Sequence, residues 1–245
     1  MKIDLNCDLG ESFGRYSLGH DEALMPLITS ANIACGFHAG DPVVMETTVQ
    51  LALKWKVAIG AHPGYPDLQG FGRREMSLSE EEVEASVLYQ VGALAAFARA
   101  GGGEVIHVKP HGALYNRAAK DRALAGAVAR GVARFSQQLI LVGLAGSVLV
   151  EAGQEAGLRV ANEGFPDRAY NSDGSLMSRR LPGSVLESPG EVAAQAVRLI
   201  KEGARGLPVH TLCIHGDNPA AVENAKAIRA ALIANDIQVE AMGKP

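Results

Sequence analysis

The sequence predicts an α/β barrel with a mainly parallel sheet, on three observations. Seven times along its 245 residues a short apolar run gives way to a polar loop and then to a helix-patterned segment, and that alternation builds parallel sheets. Hydrophobic residues make up 47% of the chain with only 5% aromatic, which suits a core of Ala, Val, Leu and Ile on helices and buried parallel strands. Residues able to do chemistry stand just past the apolar runs along the whole chain, as Asp8, His38, His62, Lys109, Glu163 and His215. An open doubly wound sheet concentrates its site near one switch point, whereas a ring brings all six strand ends to one face. One domain over residues 1–245 accommodates such a barrel.

The first unit runs from Lys2 to Asp8, where alternation yields to Asn6, Asp8 and Glu11 within six residues. Hydrogen bonding to neighbouring loops is one use for these groups, and catalysis at a barrel strand end is the other. The second unit, Ser30 to Ala34, stops in Cys35-Gly36-Phe37-His38-Ala39-Gly40-Asp41. Asp41 and Pro42 then start a helix reaching Lys56, because the carboxylate accepts from exposed N–H groups and proline suits the first position. Next, Val57 to Ala61 delivers His62. Pro63, Gly64 and Pro66 forbid strand or helix after it, so the loop to Arg74, holding Asp67 and Arg73, is irregular.

Ser79 and Glu82 form a capping box, with Leu78 placed to staple onto Val83. Val83, Val87, Val91, Leu94 and Ala98 recur at helical spacing, so that face packs on the barrel. Gly101-Gly102-Gly103 reads as helix cap and turn rather than phosphate loop, since no Lys-Ser or Lys-Thr follows. From Val105 the chain reads Val-Ile-His107-Val-Lys109-Pro-His111, and alternation puts both histidines and the lysine on one face if extended backbone continues through Pro110. Tyr115 follows closely. A lysine facing a barrel interior requires a carboxylate or a ligand, because an unpaired buried ammonium is costly.

The segment 118–135 predicts one alanine-rich helix, and Gln138 to Gly143 a buried strand ending without ionisable groups. A sixth strand, Leu158 to Asn162, runs into Glu163 and a loop lasting to Ser188, long enough to be a lid or binding loop. Its turns fall at Asp173-Gly174 and Pro182-Gly183, and it holds Tyr170 with the anion-binding candidates Arg168, Arg179 and Arg180. Ser188 to Glu191 predicts a second capping box opening a helix to Gly203. Thr211 to Ile214 is the last strong strand and leads to His215 and Asp217, with Asn218 as cap and Pro219 as first residue of the final helix. Ile237 to Ala241 has the pattern of an edge strand.

A formal net charge of −4 offers no basic footprint, which argues against nucleic acid as a partner. No apolar run approaches the roughly 20 residues that span a bilayer, and Met1-Lys2 leads directly into a strand, so no membrane association and a cytoplasmic location are expected. Cys7, Cys35 and Cys213 are expected as buried free thiols. Lacking a Gly-x-Ser-x-Gly elbow and a dinucleotide fingerprint, the constellation points to hydrolysis by water. Its imidazoles and carboxylates serve either a divalent metal or direct general acid–base chemistry, and the sequence assigns no metal ligands.

The segments Asp4 to Glu11, Ser30 to Pro42, Gly60 to Asp67, Val108 to Asn116, Asp167 to Asn171 and Ile214 to Pro219 together resemble the LamB/YcsF family, the A component of a prokaryotic ATP-dependent 5-oxoprolinase. The resemblance implies a distorted seven-stranded parallel β/α barrel of the glycoside hydrolase and polysaccharide deacetylase type. It implies partner subunits B and C, and opening of the 5-oxo-L-proline lactam to L-glutamate coupled to hydrolysis of ATP, the co-substrate, to ADP and phosphate. A divalent cation is compatible with it. The matching catalytic candidates are Asp8, His38, His62, Lys109, His111, His215 and Asp217. Candidates for substrate binding are Asn6, Glu11, Tyr115, Glu163, Arg168, Tyr170 and Arg179. With no P-loop in the chain, ATP is expected chiefly on the partner subunits. A stand-alone metal-dependent sugar deacetylase and a non-catalytic scaffold are the rival readings.

Overall fold

In the computed structural model, residues 1–171, 174–177, 181–186, 188–216 and 218–243 are described. Seven strands, β1 (Lys2–Leu9), β2 (Ser30–Ala34), β3 (Ala58–His62), β4 (Val105–Val108), β5 (Ile140–Leu144), β6 (Arg159–Gly164) and β7 (Thr211–His215), each pair in parallel with the next, and β1 pairs with both β2 and β7 to close the ring. The barrel is uneven. Five residue pairs join β1 to β7 and five join β2 to β3, but only two join β4 to β5 and two join β6 to β7, and the β3–β4 register shifts at Ile59/Gly60. The expected edge strand shortens to β8 (Gln238–Val239), which pairs with the start of β1 outside the ring.

Around the ring lie α1 (Asp21–Leu24), α2 (Pro42–Trp55), α3 (Glu80–Ala100), α4 (Gly112–Ala118), α5 (Arg122–Phe135), α6 (Val148–Glu155), α7 (Pro189–Glu202) and α8 (Ala221–Ala234). Alternation along β1 sorts its side chains. Ile3, Leu5, Cys7 and Leu9 join the large apolar cluster between strands and helices, together with Val83, Val87, Val91, Leu94 and Ala98 of α3. Asp4, Asn6 and Asp8 take the opposite, axial face. Asp4 there accepts from Thr29 Oγ1 at 2.7 Å and Ser30 Oγ at 2.6 Å. Apolar side chains fill the axis on the other side, as the separate cluster of Ile140, Val142 and Ala161. The interior is thus polar across β1, β2, β4 and β7. The sleeve outside it carries most of the apolar burial that stabilises the fold.

The expected caps form where a side chain reaches the first turn. Asp41 accepts from the N–H groups of Val43 and Val44, Ser79 and Glu82 close their box, and Lys56 ends α2 in the left-handed conformation. Three expectations change. The predicted helix over 118–135 starts late, as α5 at Arg122, because Ala118 ends α4, the chain turns at Ala119 and Asp121 recaps it by accepting from Leu124 N. Ser188 occupies the N-cap of α7 without a side-chain cap bond, so that box is not made. Asn218 accepts from Ala220 N, a local turn that delays α8 to Ala221. No helix of the described residues is long and apolar enough to cross a membrane. The three cysteines are buried free thiols, as expected.

Candidate active site

A cavity of about 440 Å³ opens at the C-terminal end of the strands, within the size range of small-molecule pockets. The strand register explains its lining. Asp8 pairs with Asn32 on one side and His215 on the other, His62 ends β3, and Lys109 follows β4. These side chains reach one cavity with Glu11, His111, Tyr115 and Arg168. The predicted convergence of residues far apart in sequence is therefore observed for Asp8, His62, Lys109 and His215. Glu163 belongs to β6 rather than to the loop after it, completely buried beneath the cavity floor, because Lys109, Asn6 and Tyr115 all satisfy its charge.

Lys109 is the hub of this floor. Its Nζ lies 2.9 Å from Glu163 Oε1, 3.0 Å from Asp8 Oδ1, 3.2 Å from Asn6 Oδ1 and 2.9 Å from Cys213 Sγ. Burial works against the ammonium, but Asp8 and its neighbours outweigh it and carry Lys109 well above the usual lysine range. The same balance applies to Asp8. Burial pushes its carboxyl up, while His62 and Lys109 hold it well below the usual carboxylate range, so Asp8 is ionised near neutrality. Asn6 fixes the arrangement, donating to Glu163 Oε1 and Thr211 Oγ1 while accepting from Asn32 and Lys109. Tyr115 donates to Glu163 Oε2 at 2.6 Å. Burial and that carboxylate push the phenol well above its ordinary value, so it remains a donor.

Four imidazoles cluster on the β2–β4 side. His38 lies face to face on His111, ring centroids 3.8 Å apart and 5° from parallel, and His62 meets both edge-on. Burial, then the neighbouring imidazoles, hold His38 and His111 well below the usual histidine range. His107 lies deeper, its Nε2 2.8 Å from Asn32 Oδ1, and burial lowers it to about 3. Two glycines make room for these rings. A Cβ on Gly60 would sit 2.0 Å from His107 Nε2, and one on Gly72, whose φ is +62°, would sit 2.7 Å from His38 Cβ. Glu11 Oε1 stands 3.7 Å from both His38 Nε2 and His111 Nδ1, and the ligand atoms of Glu11, His38, His62 and His111 all lie within 4.8 Å of one another. Buried imidazoles with a carboxylate are a donor set able to hold a metal ion.

The remaining predicted residues divide. His215 faces the cavity with Nδ1 2.7 Å from Asp167 Oδ2. Arg168 lines the cavity too, but its guanidinium donates to the carbonyls of Ser184 and Met177 and so ties the long loop to itself. Tyr170 stands outside: its hydroxyl accepts from Phe165 N, and the ring lines a separate groove with Arg198 and Arg205. Arg179 and Asp217, like Asp173 and Arg180, lie outside the described residues.

Residues that sequence reasoning passed over hold the site together. Asn32 donates to both Asn6 and Asp8, and an amide inside a five-residue buried strand was its signal. Gln90 is completely buried, bonded to the N–H and carbonyl of Gly64, and an amide on the apolar face of α3 marked it. Asp167 supports His215, while Cys213 and Arg73 border Lys109 and the cavity mouth without any mark that sets them apart in the sequence.

Known proteins share this whole chain. The 5-oxoprolinase A component of Methylococcus capsulatus is 56% identical over 249 residues, 98% of this chain and 96% of that protein. Its counterpart of the same name in Pyrococcus furiosus is 55% identical over 251 residues, covering 99% and 98%. The lactam utilization protein of Thermus thermophilus superposes with a TM-score of 0.93 at 50% identity, covering 99% of this chain and all of that one. More distantly, the catalytic domain of a peptidoglycan N-acetylglucosamine deacetylase from Eubacterium rectale matches with a TM-score of 0.50 at 13% identity, covering 100% and 90%, which shows a shared barrel fold alone. The profile of the LamB/YcsF family matches residues 3–245, and with site, fold and full-length relatives in agreement the chain belongs to that family.

Proposed function

We propose that this chain is the lactam-handling subunit of an ATP-dependent 5-oxoprolinase, opening 5-oxo-L-proline to L-glutamate together with subunits B and C in the cytoplasm. The observation that carries this reading is an ionised carboxylate, Asp8, held at the floor of a cavity of about 440 Å³. The full-length relatives named as the A component of 5-oxoprolinase support the choice of substrate.

A five-membered lactam resists water because amide resonance protects its carbonyl, and the ring-opened product tends to close again. Coupling to ATP addresses both. The lactam oxygen attacks the γ-phosphorus and ADP leaves. Water then adds to the activated carbon, the ring C–N bond breaks with a proton passing to the departing nitrogen, and a second water hydrolyses the resulting acyl phosphate to glutamate and phosphate. In this scheme Asp8 takes the proton of the attacking water through Oδ2, since Oδ1 is already bonded by Asn32 and Lys109. The proton then leaves Asp8 for solvent at the open cavity. Lys109 offsets the negative charge that develops, and Arg73 at the mouth takes the substrate carboxylate, the role expected of Arg168 or Arg179 from the sequence alone. ATP sits mainly on the partner subunits.

The test is glutamate formation from 5-oxoproline and ATP, with this chain added to or omitted from its two partners. Omission should abolish product, and Asp8→Asn should do the same with the circular-dichroism spectrum unchanged. Product formed without the chain would overturn the reading, and wild-type turnover by Asp8→Asn would remove Asp8 from it.

A further inference from the structure

We infer that Glu11, His38, His62 and His111 form a site for one divalent transition-metal ion, of the zinc, cobalt or manganese class. Backbone carbonyls fix the tautomers of two of the imidazoles. His62 Nδ1 lies 2.7 Å from the Lys109 carbonyl and His111 Nε2 lies 2.8 Å from the Phe71 carbonyl. A carbonyl only accepts, so each of these outer nitrogens carries the proton. The inner nitrogens, His62 Nε2 and His111 Nδ1, are then both bare lone pairs, and they face each other at 2.9 Å. Two acceptors at that distance require something positive between or beside them. Outer nitrogens bonded to backbone carbonyls are also what orients metal-bound imidazoles.

His38 separates an ion from a mere proton. Its ring is completely buried, and neither nitrogen has a hydrogen-bond partner among the described residues. A proton shared by His62 and His111 would leave His38 as it is, whereas an ion among the four donors engages its Nε2 together with Glu11. The second cluster of metal-capable groups, Asp8, Cys213 and His215, provides the contrast. There the Lys109 ammonium already stands 3.0 Å from Asp8 and 2.9 Å from Cys213, so that cluster has its cation built into the chain. Three imidazoles and one carboxylate favour zinc, cobalt, manganese or iron over magnesium or calcium, which prefer all-oxygen sites. Glu11, His62 and His111 border the open cavity, which gives the ion a path in. A divalent cation held there polarises a carbonyl oxygen or acidifies a water.

The test uses the full chain, stripped with a chelator and titrated with Co²⁺. One Co²⁺ per chain with visible d–d absorption is expected, displaced by an equivalent of Zn²⁺. Glu11→Gln and His38→Gln should each weaken Co²⁺ binding by roughly tenfold or more, with melting temperatures recorded to show that the variants fold. Absence of stoichiometric Co²⁺ binding by the wild-type chain would overturn the proposal. So would binding that both variants leave unchanged, since the ion would then be elsewhere. Both readouts are independent of whether the assembled complex makes glutamate.

Discussion

Replacing Lys109 by methionine tests the floor of the site most directly. Methionine has nearly the length of lysine and leaves little cavity, so the dominant loss is charge. Nζ is 2.9 Å from Glu163 Oε1 and 3.0 Å from Asp8 Oδ1, and Lys109, Asp8 and Glu163 are all buried. Removing the cationic member of a buried ionic group leaves its partners uncompensated, at a cost of about 3–5 kcal/mol. That is a large share of the roughly 5–15 kcal/mol by which domains are stable. Urea unfolding at neutral pH, followed by circular dichroism, reads the loss as a lowered midpoint. Glu163→Gln supplies the second arm. Alone it destabilises, but combined with Lys109→Met it removes one of the stranded acids, so the double variant should be less destabilised than the two singles together, with a coupling of about 1–3 kcal/mol. A Lys109→Met chain within about 1 kcal/mol of wild type, or single effects that add within about 0.5 kcal/mol, would refute the reasoning.

Gly60→Ala drives a methyl into the His107 ring, breaking its 2.8 Å contact with Asn32 and loosening Asp8 beyond it; a stability loss of roughly 1–3 kcal/mol is expected, and an unchanged melting temperature would contradict this packing. Tyr115→Phe deletes the 2.6 Å bond to Glu163 Oε2 and should cost about 1.5–3 kcal/mol, as for a hydrogen bond to a charged group, read by the same urea midpoint. Asp41→Ala removes the cap of α2 and should cost about 1–2 kcal/mol, a fall of roughly 2–4 °C per kcal/mol in a chain of this size. The N–H of Gly14, then those of Val44 and Val43, hold the Asp41 carboxyl below its ordinary value. A depressed folded-state value means that the charge contributes above the unfolded pKa near ~3.9, and that this contribution disappears as pH falls through the folded one. The stability gap between wild type and Asp41→Asn should therefore be present at neutral pH and close below about pH 4, and a gap independent of pH would show that the carboxylate charge has no part in the cap.

The barrel was legible because its grammar is local. A buried strand, a polar stop and a capped helix each have a short-range cause, and those causes hold at Asp41, Ser79 and the valine face of α3. Convergence of Asp8, His62, Lys109 and His215 followed once the ring was assumed. What stayed hidden depends on long-range partners. Glu163 reads as a strand terminator until Lys109 and Tyr115 arrive from 54 and 48 positions away to satisfy it. Cys213 reads as an inert thiol, yet it meets an ammonium. Arg168 reads as an anion hook, and its guanidinium donates to carbonyls of its own loop. Tyr170 has a hydroxyl whose partner is a backbone N–H five residues away, a contact that turns the ring from the cavity.

Because Asp4, Asn6, Asp8, Lys109 and Glu163 find their partners on other strands of the ring rather than along their own, a ring with one seam open would strand several of them at once. Partly closed states are thereby penalised, because the β1–β7 seam carries contacts that neither strand makes alone. Thr211 and Cys213 of β7 meet Asn6 and Lys109 only when that seam is shut, so closing the ring and assembling the cavity floor go together.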